Sequence, residues 1–283
     1  MIPEIRIKTC RHGRFMYYAN DAYIGRSLDH YGEYSEDEVM LWQQFVKPGM
    51  TAMDVGANIG PLTISLAKMV GPTGRVLAIE PQKQIFQMLI GNLALNELTN
   101  TVCMNGAAGD KIANLRVPKV DYSLVANFGG VPMLVNPDSD SDLMVPLFTI
   151  DSLKLSQIHF IKIDVEGMEQ EVVEGAAETL TKLKPVLYVE NDKWRKSHGL
   201  IECLLKLDYR MFWHLPLLHN PNNYNHAVDD LFPNIRSCNM LCVHPSIGLN
   251  VTGFTEIKSP DDLKAETAGN EAAPGHPCRS GPT

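Results

Sequence analysis

Short apolar runs rich in β-branched residues alternate, over most of this chain, with longer stretches in which apolar side chains recur every three or four positions. The runs predict strands over 51–55, 75–79, 101–104, 158–163, 186–189, 209–213 and 237–243, and the helical period predicts helices over 62–69, 85–95, 168–177 and 196–205. Strands interleaved with helices build a mainly parallel sheet covered on both faces. Residues 48–254 therefore read as one α/β domain with a Rossmann-like, doubly wound sheet of seven strands.

Three segments depart from the pattern. Residues 1–47 are polar and tyrosine-rich and read as an N-terminal extension or lid, ending in YGEYSEDEVMLWQQF. Ser35 and Glu38 there form a capping-box signature for a helix carrying Val39, Met40, Trp42 and Phe45. Residues 111–149 contain Pro118, Gly129, Gly130, Pro132, Pro137 and the run DSDSD, the composition of a surface insertion, with a strand pair expected around Leu115 and Val145. Residues 255–283 hold almost no large apolar side chain after Leu263, so a disordered tail is expected.

Charge and composition narrow the function. The 25 basic against 33 acidic side chains give a net charge of −8, and no basic run is present, which argues against a nucleic-acid partner held through phosphates. No stretch approaches the length of a membrane span, and the first residues lack the apolar core of a secretory signal, so a cytoplasmic protein without membrane attachment is expected. Six scattered cysteines with no CxxC pair fit neither a disulfide framework nor a zinc site and read as free thiols.

The segment TAMDVGANIGPLTISLA is the most informative. A strand delivers Asp54, a turn follows at Gly56 and Gly60, and an amphipathic helix begins. Such turns bind nucleotides at the carboxyl ends of strands in doubly wound sheets. A dinucleotide fingerprint would need glycine where this chain has Asn58. Glu80, 20 residues beyond Gly60 and just before Pro81, ends the next strand, where a carboxylate accepts hydrogen bonds from both hydroxyls of a ribose. Asp54 would repel a diphosphate but attract a sulfonium. Together these features point to S-adenosylmethionine. NGAAGD follows the third strand; small Ala108 would let adenine lie flat and Asp110 would accept its amine. The plainer reading is that the glycines serve a tight turn and Glu80 is a solvated strand end; the joint spacing speaks against it.

DVGANIG, IEP, NGAAGD and FIKIDVEGMEQEVVEGA, preceded by YGEYSEDE, resemble the FkbM-type S-adenosylmethionine-dependent methyltransferases over about residues 20–245. The resemblance implies a seven-stranded sheet whose last strand is antiparallel, and O-methylation of a small-molecule hydroxyl, typically on a sugar or polyketide-like natural product. It also implies that Asp54, Gly56, Asn58 and Gly60 hold the methionine part, Glu80 with Pro81 the ribose, and Ala108 and Asp110 the adenine.

Methyl transfer from a sulfonium needs alignment and, for a hydroxyl acceptor, removal of a proton. Asp164 and Glu166 end the fourth strand before Gly167, and paired acids raise one pKa into the range of a base. The alternative is that they cap the helix beginning at Met168. Glu190 and Asn191, with Asp192, end the fifth strand and are candidates to position the acceptor. Tyr34, with Tyr31 and Glu38, is a candidate lid contact, and His198 and His214 are candidate acceptor contacts. His214, His219 and His226 invite a metal, but Pro216 and Pro221 interrupt the segment and no acid lies inside it, so no metal is expected. Two other functions compete. An NAD(P)-dependent sugar reductase or epimerase would share the fold but needs a GxGxxG turn and a Tyr-xxx-Lys pair, both missing here; a nucleoside-binding protein without catalysis is the other.

Overall fold

The computed structural model describes residues 4–131 and 143–262. The chain opens with an antiparallel hairpin, β1 (Ile5–Cys10) and β2 (Gly13–Tyr18), followed by helices α1 (Ile24–His30) and α2 (Glu36–Trp42). Then come β3 (Thr51–Val55), α3 (Pro61–Val70), β4 (Arg75–Glu80), α4 (Lys83–Leu95), β5 (Thr101–Asn105), β6 (Ala107–Ala108), β7 (Ala113–Arg116) and β8 (Met144–Phe148). The second half contains β9 (Phe160–Ile163), α5 (Glu169–Glu174), α6 (Ala177–Leu183), β10 (Val186–Glu190), α7 (Trp194–Lys206), β11 (Arg210–His214), β12 (Asn239–Val243) and β13 (Glu256–Ile257).

One sheet runs β13-β11-β12-β10-β9-β3-β4-β5. β3, β4, β5, β9 and β10 are parallel, whereas β12 is antiparallel to both its neighbours, β10 and β11. The chain builds outward from β3 through β4 to β5 and then returns to lay β9 on the other side of β3. That switch leaves a crevice at the carboxyl ends of β3 and β9. Every residue of β3, β9 and β12 is buried, as expected for strands covered on both faces. Alternation sorts their side chains. Met53, Ile161, Ile163, Leu187 and Val189 pack with α5 to α7, while Ala52, Phe160, Val186 and Tyr188 pack against Trp42 and Leu66. Trp42 is fully buried between Phe160 and Tyr188, so its truncation to alanine costs about 3–5 kcal/mol.

Several expectations are corrected. The sheet has eight strands rather than seven, because β13 pairs with Met211 and Phe212 where a tail was expected to begin at 255; residues 263–283 lie outside the described residues. The helix expected over 168–177 is two short helices, α5 and α6. Ser35 does precede α2, but at φ 49 and without a side-chain cap, and Glu38 turns inward to accept from Asn239 at 3.1 Å. Cys10, Cys103, Cys203 and Cys242 are free thiols, but Cys238 is disulfide-bonded; Cys278 lies outside the described residues.

The insertion pairs Leu115 with Val145 in β7 and β8, as expected. Its middle is less superficial than composition suggested. Gln82 donates to Phe128 O at 2.9 Å and accepts from the Tyr122 hydroxyl at 2.9 Å, which holds residues 122–128 against the end of β4. Pro132, Pro137 and the DSDSD run lie outside the described residues. The N-terminal hairpin docks on α4 through Asn92, which accepts from Met16 N at 2.6 Å and donates to Met16 O at 2.9 Å. Buried Glu33 ties the extension to the loop between β11 and β12, accepting from Arg11 Nε at 2.6 Å, Asn220 Nδ2 at 2.7 Å and Tyr224 N at 2.8 Å. The extension and that loop form a joint roof.

Candidate active site

The glycine turn closes β3 against β4. Gly56 and Ala57 both donate to Ile79 O, at 3.0 and 2.9 Å. Gly56 has φ 81, and a Cβ there would lie 1.8 Å from Asp164 O, so only glycine fits. Asn58 adopts φ 51, a left-handed conformation that asparagine tolerates, and its N–H is turned onto Glu80 Oε2 at 2.9 Å. The other Glu80 oxygen accepts from Gln82 N at 2.8 Å. Burial pushes the Glu80 carboxyl up to about 7, against the lowering effect of these two backbone donors. One donor on each oxygen leaves lone pairs for two further hydroxyls, which is the donor set a ribose would complete.

Beneath this turn lies Lys162, which the sequence reading did not single out. Its ammonium donates to Gly56 O at 2.8 Å and sits 3.2 Å from Asp54 Oδ1 and 3.3 Å from Asp164 Oδ2. Burial opposes its charge, but Asp164 and Asp54 outweigh that and hold it protonated. Asp54 is fully buried and also accepts from Thr63 Oγ1 at 2.6 Å. It therefore braces the floor of the turn through Lys162 and Thr63. The available signal was a lysine inside the apolar run FIKI, two positions before Asp164 and hence on the same face.

After β9 the chain reverses through Glu166 at φ 55 and Gly167 at φ 98. Capping of this reversal falls to Glu169, whose Oε1 accepts from Val165 N at 3.1 Å and Gly167 N at 2.9 Å. Asp164 and Glu166 are thereby relieved of that task. One carboxylate oxygen from each of Asp164, Glu166 and Glu190 lies within 4.8 Å of the others, a grouping that could also hold a cation. Lys193 bridges Glu166 at 3.0 Å and Asp192 at 2.6 Å. Burial and then Asp164 push Glu166 up to about 7, and burial with Asp164 and Asp192 pushes Glu190 well above the usual carboxylate range. The three acids cannot all be ionised at once near neutral pH.

The turn, Glu80 and the acidic group open onto one cavity of about 1000 Å³. Tyr34, Gly56, Asn58, Glu80, Pro81, Ala108, Asp164, Glu166 and Glu190 all line it. Gly60 stands at φ 90 at the start of α3, behind the wall. Asp54, expected to face the sulfonium, is fully buried against Lys162 and Thr63 and, like Gly60, does not line the cavity. Other expectations fail as well. Asp110 points to solvent with Lys111 at 3.8 Å, because the backbone at Gly109 turns back onto Phe148 O. Asn191 is buried in the sheet and donates to Met240 Sδ at 3.3 Å. His198 stands on α7 with 60% of its side chain exposed, 3.8 Å from Glu202. His214 alternates to the far face of β11, where it meets the Tyr188 hydroxyl at 2.6 Å and burial pushes it down to about 4. Tyr31 and Glu38 also lie off the cavity: the Tyr31 hydroxyl accepts from Leu231 N at 2.6 Å.

A sheet with reversed β12, a glycine turn after β3 and an acid closing β4 define the class I methyltransferase architecture. The family model for the methyltransferase FkbM domain matches residues 54–211, more than half of the sequence, and the chain belongs to that family of S-adenosylmethionine-dependent methyltransferases. Among curated proteins, it is 28% identical over 141 residues to a protein-L-isoaspartate O-methyltransferase of Caenorhabditis elegans, covering 47% of this chain and 60% of that protein. It is 50% identical over 40 residues to the enzyme of the same description from Triticum aestivum, covering 14% of this chain and 17% of that one. The matches thus span less than two thirds of these relatives. Among solved structures, a methyltransferase FkbM from Methylobacillus flagellatus aligns at 20% identity and TM-score 0.44, over 68% of this chain and 43% of that one. A fibrillarin from Aeropyrum pernix with natively bound S-adenosylmethionine aligns at 11% identity and TM-score 0.44, over 86% and 84%. Among the described residues no helix is long and apolar enough to cross a membrane.

Proposed function

We propose that this protein transfers a methyl group to a hydroxyl of a small molecule, a sugar or natural product, and that the acids ending β9 and β10 take up the hydroxyl proton. One observation carries the reading: the carboxylates of Asp164, Glu166 and Glu190 gather within 4.8 Å on the cavity that Glu80 and the glycine turn also line. Glu80 would hold the ribose hydroxyls of S-adenosylmethionine, Gly56 and Asn58 would flank its methionine part, and Ala107 and Ala108 would lie against the adenine. The bound cofactor supplies the methyl group on a sulfonium, whose departure needs no acid. The acidic group favours a cation beside it and aligns the acceptor oxygen, and its ionised member accepts the proton as the new bond forms. Burial beneath the N-terminal extension keeps bulk water from competing for the methyl group. That the curated relatives are named O-methyltransferases agrees with an oxygen acceptor.

The test is calorimetry with S-adenosylmethionine, S-adenosylhomocysteine and NAD(P), followed by incubation with labelled cofactor and hydroxyl-bearing extracts and mass spectrometry of the product. Binding of the first two compounds and a product heavier by one methyl on oxygen support the proposal. Preference for NAD(P), or methylation at nitrogen or carbon, removes it.

A further inference from the structure

One part of the cavity takes no part in the proposed methyl transfer. Among the described residues, four cationic side chains line the cavity. Lys162 is paired with Asp54 and Asp164, and Lys193 with Glu166 and Asp192. Arg26 and Arg236 have no ion pair with a described residue, although both are exposed into a concavity. Their surroundings are ordered rather than loose. The Arg26 guanidinium lies 5.5 Å from the centroid of the buried Phe232 ring, and Tyr23 stacks on that ring at 5.5 Å and 14°. Arg236 commits an N–H to Leu215 O at 2.9 Å and sits in a short antiparallel pairing opposite Leu217. That pairing is flanked by Leu218 N to Ile235 O at 3.0 Å and Ser237 N to Pro216 O at 3.1 Å.

A guanidinium in a concave site, fixed against a ring or a carbonyl and lacking a carboxylate, is arranged to receive a planar oxyanion through parallel N–H donors. We infer that the methyl acceptor carries an oxyanion, a carboxylate, sulfate or phosphate, beside an apolar or aromatic body, and that Arg26 and Arg236 hold this group while Tyr23, Leu231 and Ile235 lie against the body. The acids in the same cavity reinforce this orientation. They repel the anion, so an acceptor held by the arginines presents its hydroxyl to Asp164 and Glu190 instead. This inference rests on the proposed methyl transfer and specifies its substrate class.

The test uses the full chain saturated with S-adenosylhomocysteine, titrated calorimetrically with para-hydroxybenzoate, phenyl phosphate and neutral para-hydroxybenzamide. At least one anion is expected to bind about tenfold or more tighter than the amide, with an advantage that shrinks as salt is raised. The double variant Arg26→Gln, Arg236→Gln is expected to lose that advantage while keeping its S-adenosylhomocysteine affinity within about twofold, which also shows that it is folded. The benzoate and phosphate arms separate a carboxylate acceptor from a phosphoryl one. The inference is overturned if no probe binds, if the amide matches the anions, or if the double variant keeps the anion advantage. A drop in S-adenosylhomocysteine affinity in that variant would assign the arginines to the cofactor's own carboxylate and overturn it too. Failure of the proposed methyl transfer has a different signature: the parent protein would then not bind S-adenosylhomocysteine, or the labelled methyl would appear on nitrogen or carbon.

Discussion

Replacing Glu80 by glutamine separates the energetic cost of this carboxyl from its service to the cofactor. Glu80 is 4% exposed, and burial moves it from an ordinary 4.5 to about 7. Holding it ionised in the ligand-free protein therefore costs about 3 kcal/mol. The folded value lies above the unfolded one, so its contribution to stability is fully present below about pH 4.5 and is lost as pH rises through about 7. Glutamine does not titrate. Between about pH 5 and about pH 8 the stability difference between variant and parent should consequently shift by about 2.5 kcal/mol in favour of the variant. Glu38, pushed up to about 8, and Glu166, pushed up to about 7, add the same trend to both proteins and cancel in that difference. At any one pH the variant also loses about 1–3 kcal/mol, because its amide group points a donor at either Asn58 N–H or Gln82 N–H. Cofactor binding loses the charge assistance to the ribose, an expected weakening of about 10- to 100-fold. Urea titrations at the two pH values, with and without S-adenosylhomocysteine, and calorimetry with S-adenosylmethionine measure both effects. Parallel pH profiles, or a Kd unchanged within about twofold, would refute the assignment of Glu80.

Lys162→Met strands Asp54 in the floor of the site without its cation; a loss of about 3–5 kcal/mol in chemical denaturation is expected, and a parent-like midpoint would show that the pair is dispensable. Glu190→Gln and Asp164→Asn should each lower turnover by about 10²- to 10⁴-fold with cofactor affinity within about threefold, read by product mass spectrometry; unchanged turnover takes the residue off the acidic base. Because burial pushes Glu166 up to about 7 and Glu190 upward, turnover should rise with pH through the neutral range where one of these glutamates is the base, and a flat profile would remove both from that role. Asp110→Ala and His198→Ala, both at solvent, should leave cofactor affinity and turnover within about twofold, and a larger fall in either would return that residue to the site.

Local pattern carried much of the architecture. The seven expected strands all form, because continuous apolar runs can be buried only between two layers, and the strand pair at Leu115 and Val145 follows from alternation between turn signals. What escaped notice was weakly patterned. β1 alternates Ile5, Arg6, Ile7 and Lys8, but its isoleucines stay 49% and 54% exposed, and α1 is only seven residues long, so neither segment marks a buried face by itself. Pairing and docking on α4 hold them in place. The capping-box signature at Ser35 and Glu38 was misleading for the opposite reason: a buried partner, Asn239, claims the glutamate.

For the site, the boundary between sequence and tertiary structure is physical. Spacing along one strand–turn–helix unit is enough to find Gly56, Asn58 and Glu80, since a strand end and the turn beside it are close in sequence as well as in space. Whether a polar side chain at a strand end enters the cavity depends on the face it alternates to and on which neighbour claims it. That is why Asp164 and Glu190 face the cavity, while Asn191 turns to Met240 and His214 to Tyr188. The pairing of Lys162 with Asp54 and Asp164, the release of Asp164 and Glu166 by Glu169, and the meeting of Arg26 with Phe232 join residues from separate elements. The one-dimensional pattern sets which residues are buried. Only the packed chain decides which charges end up side by side, because low-dielectric neighbours are chosen by the fold and not by distance along the backbone.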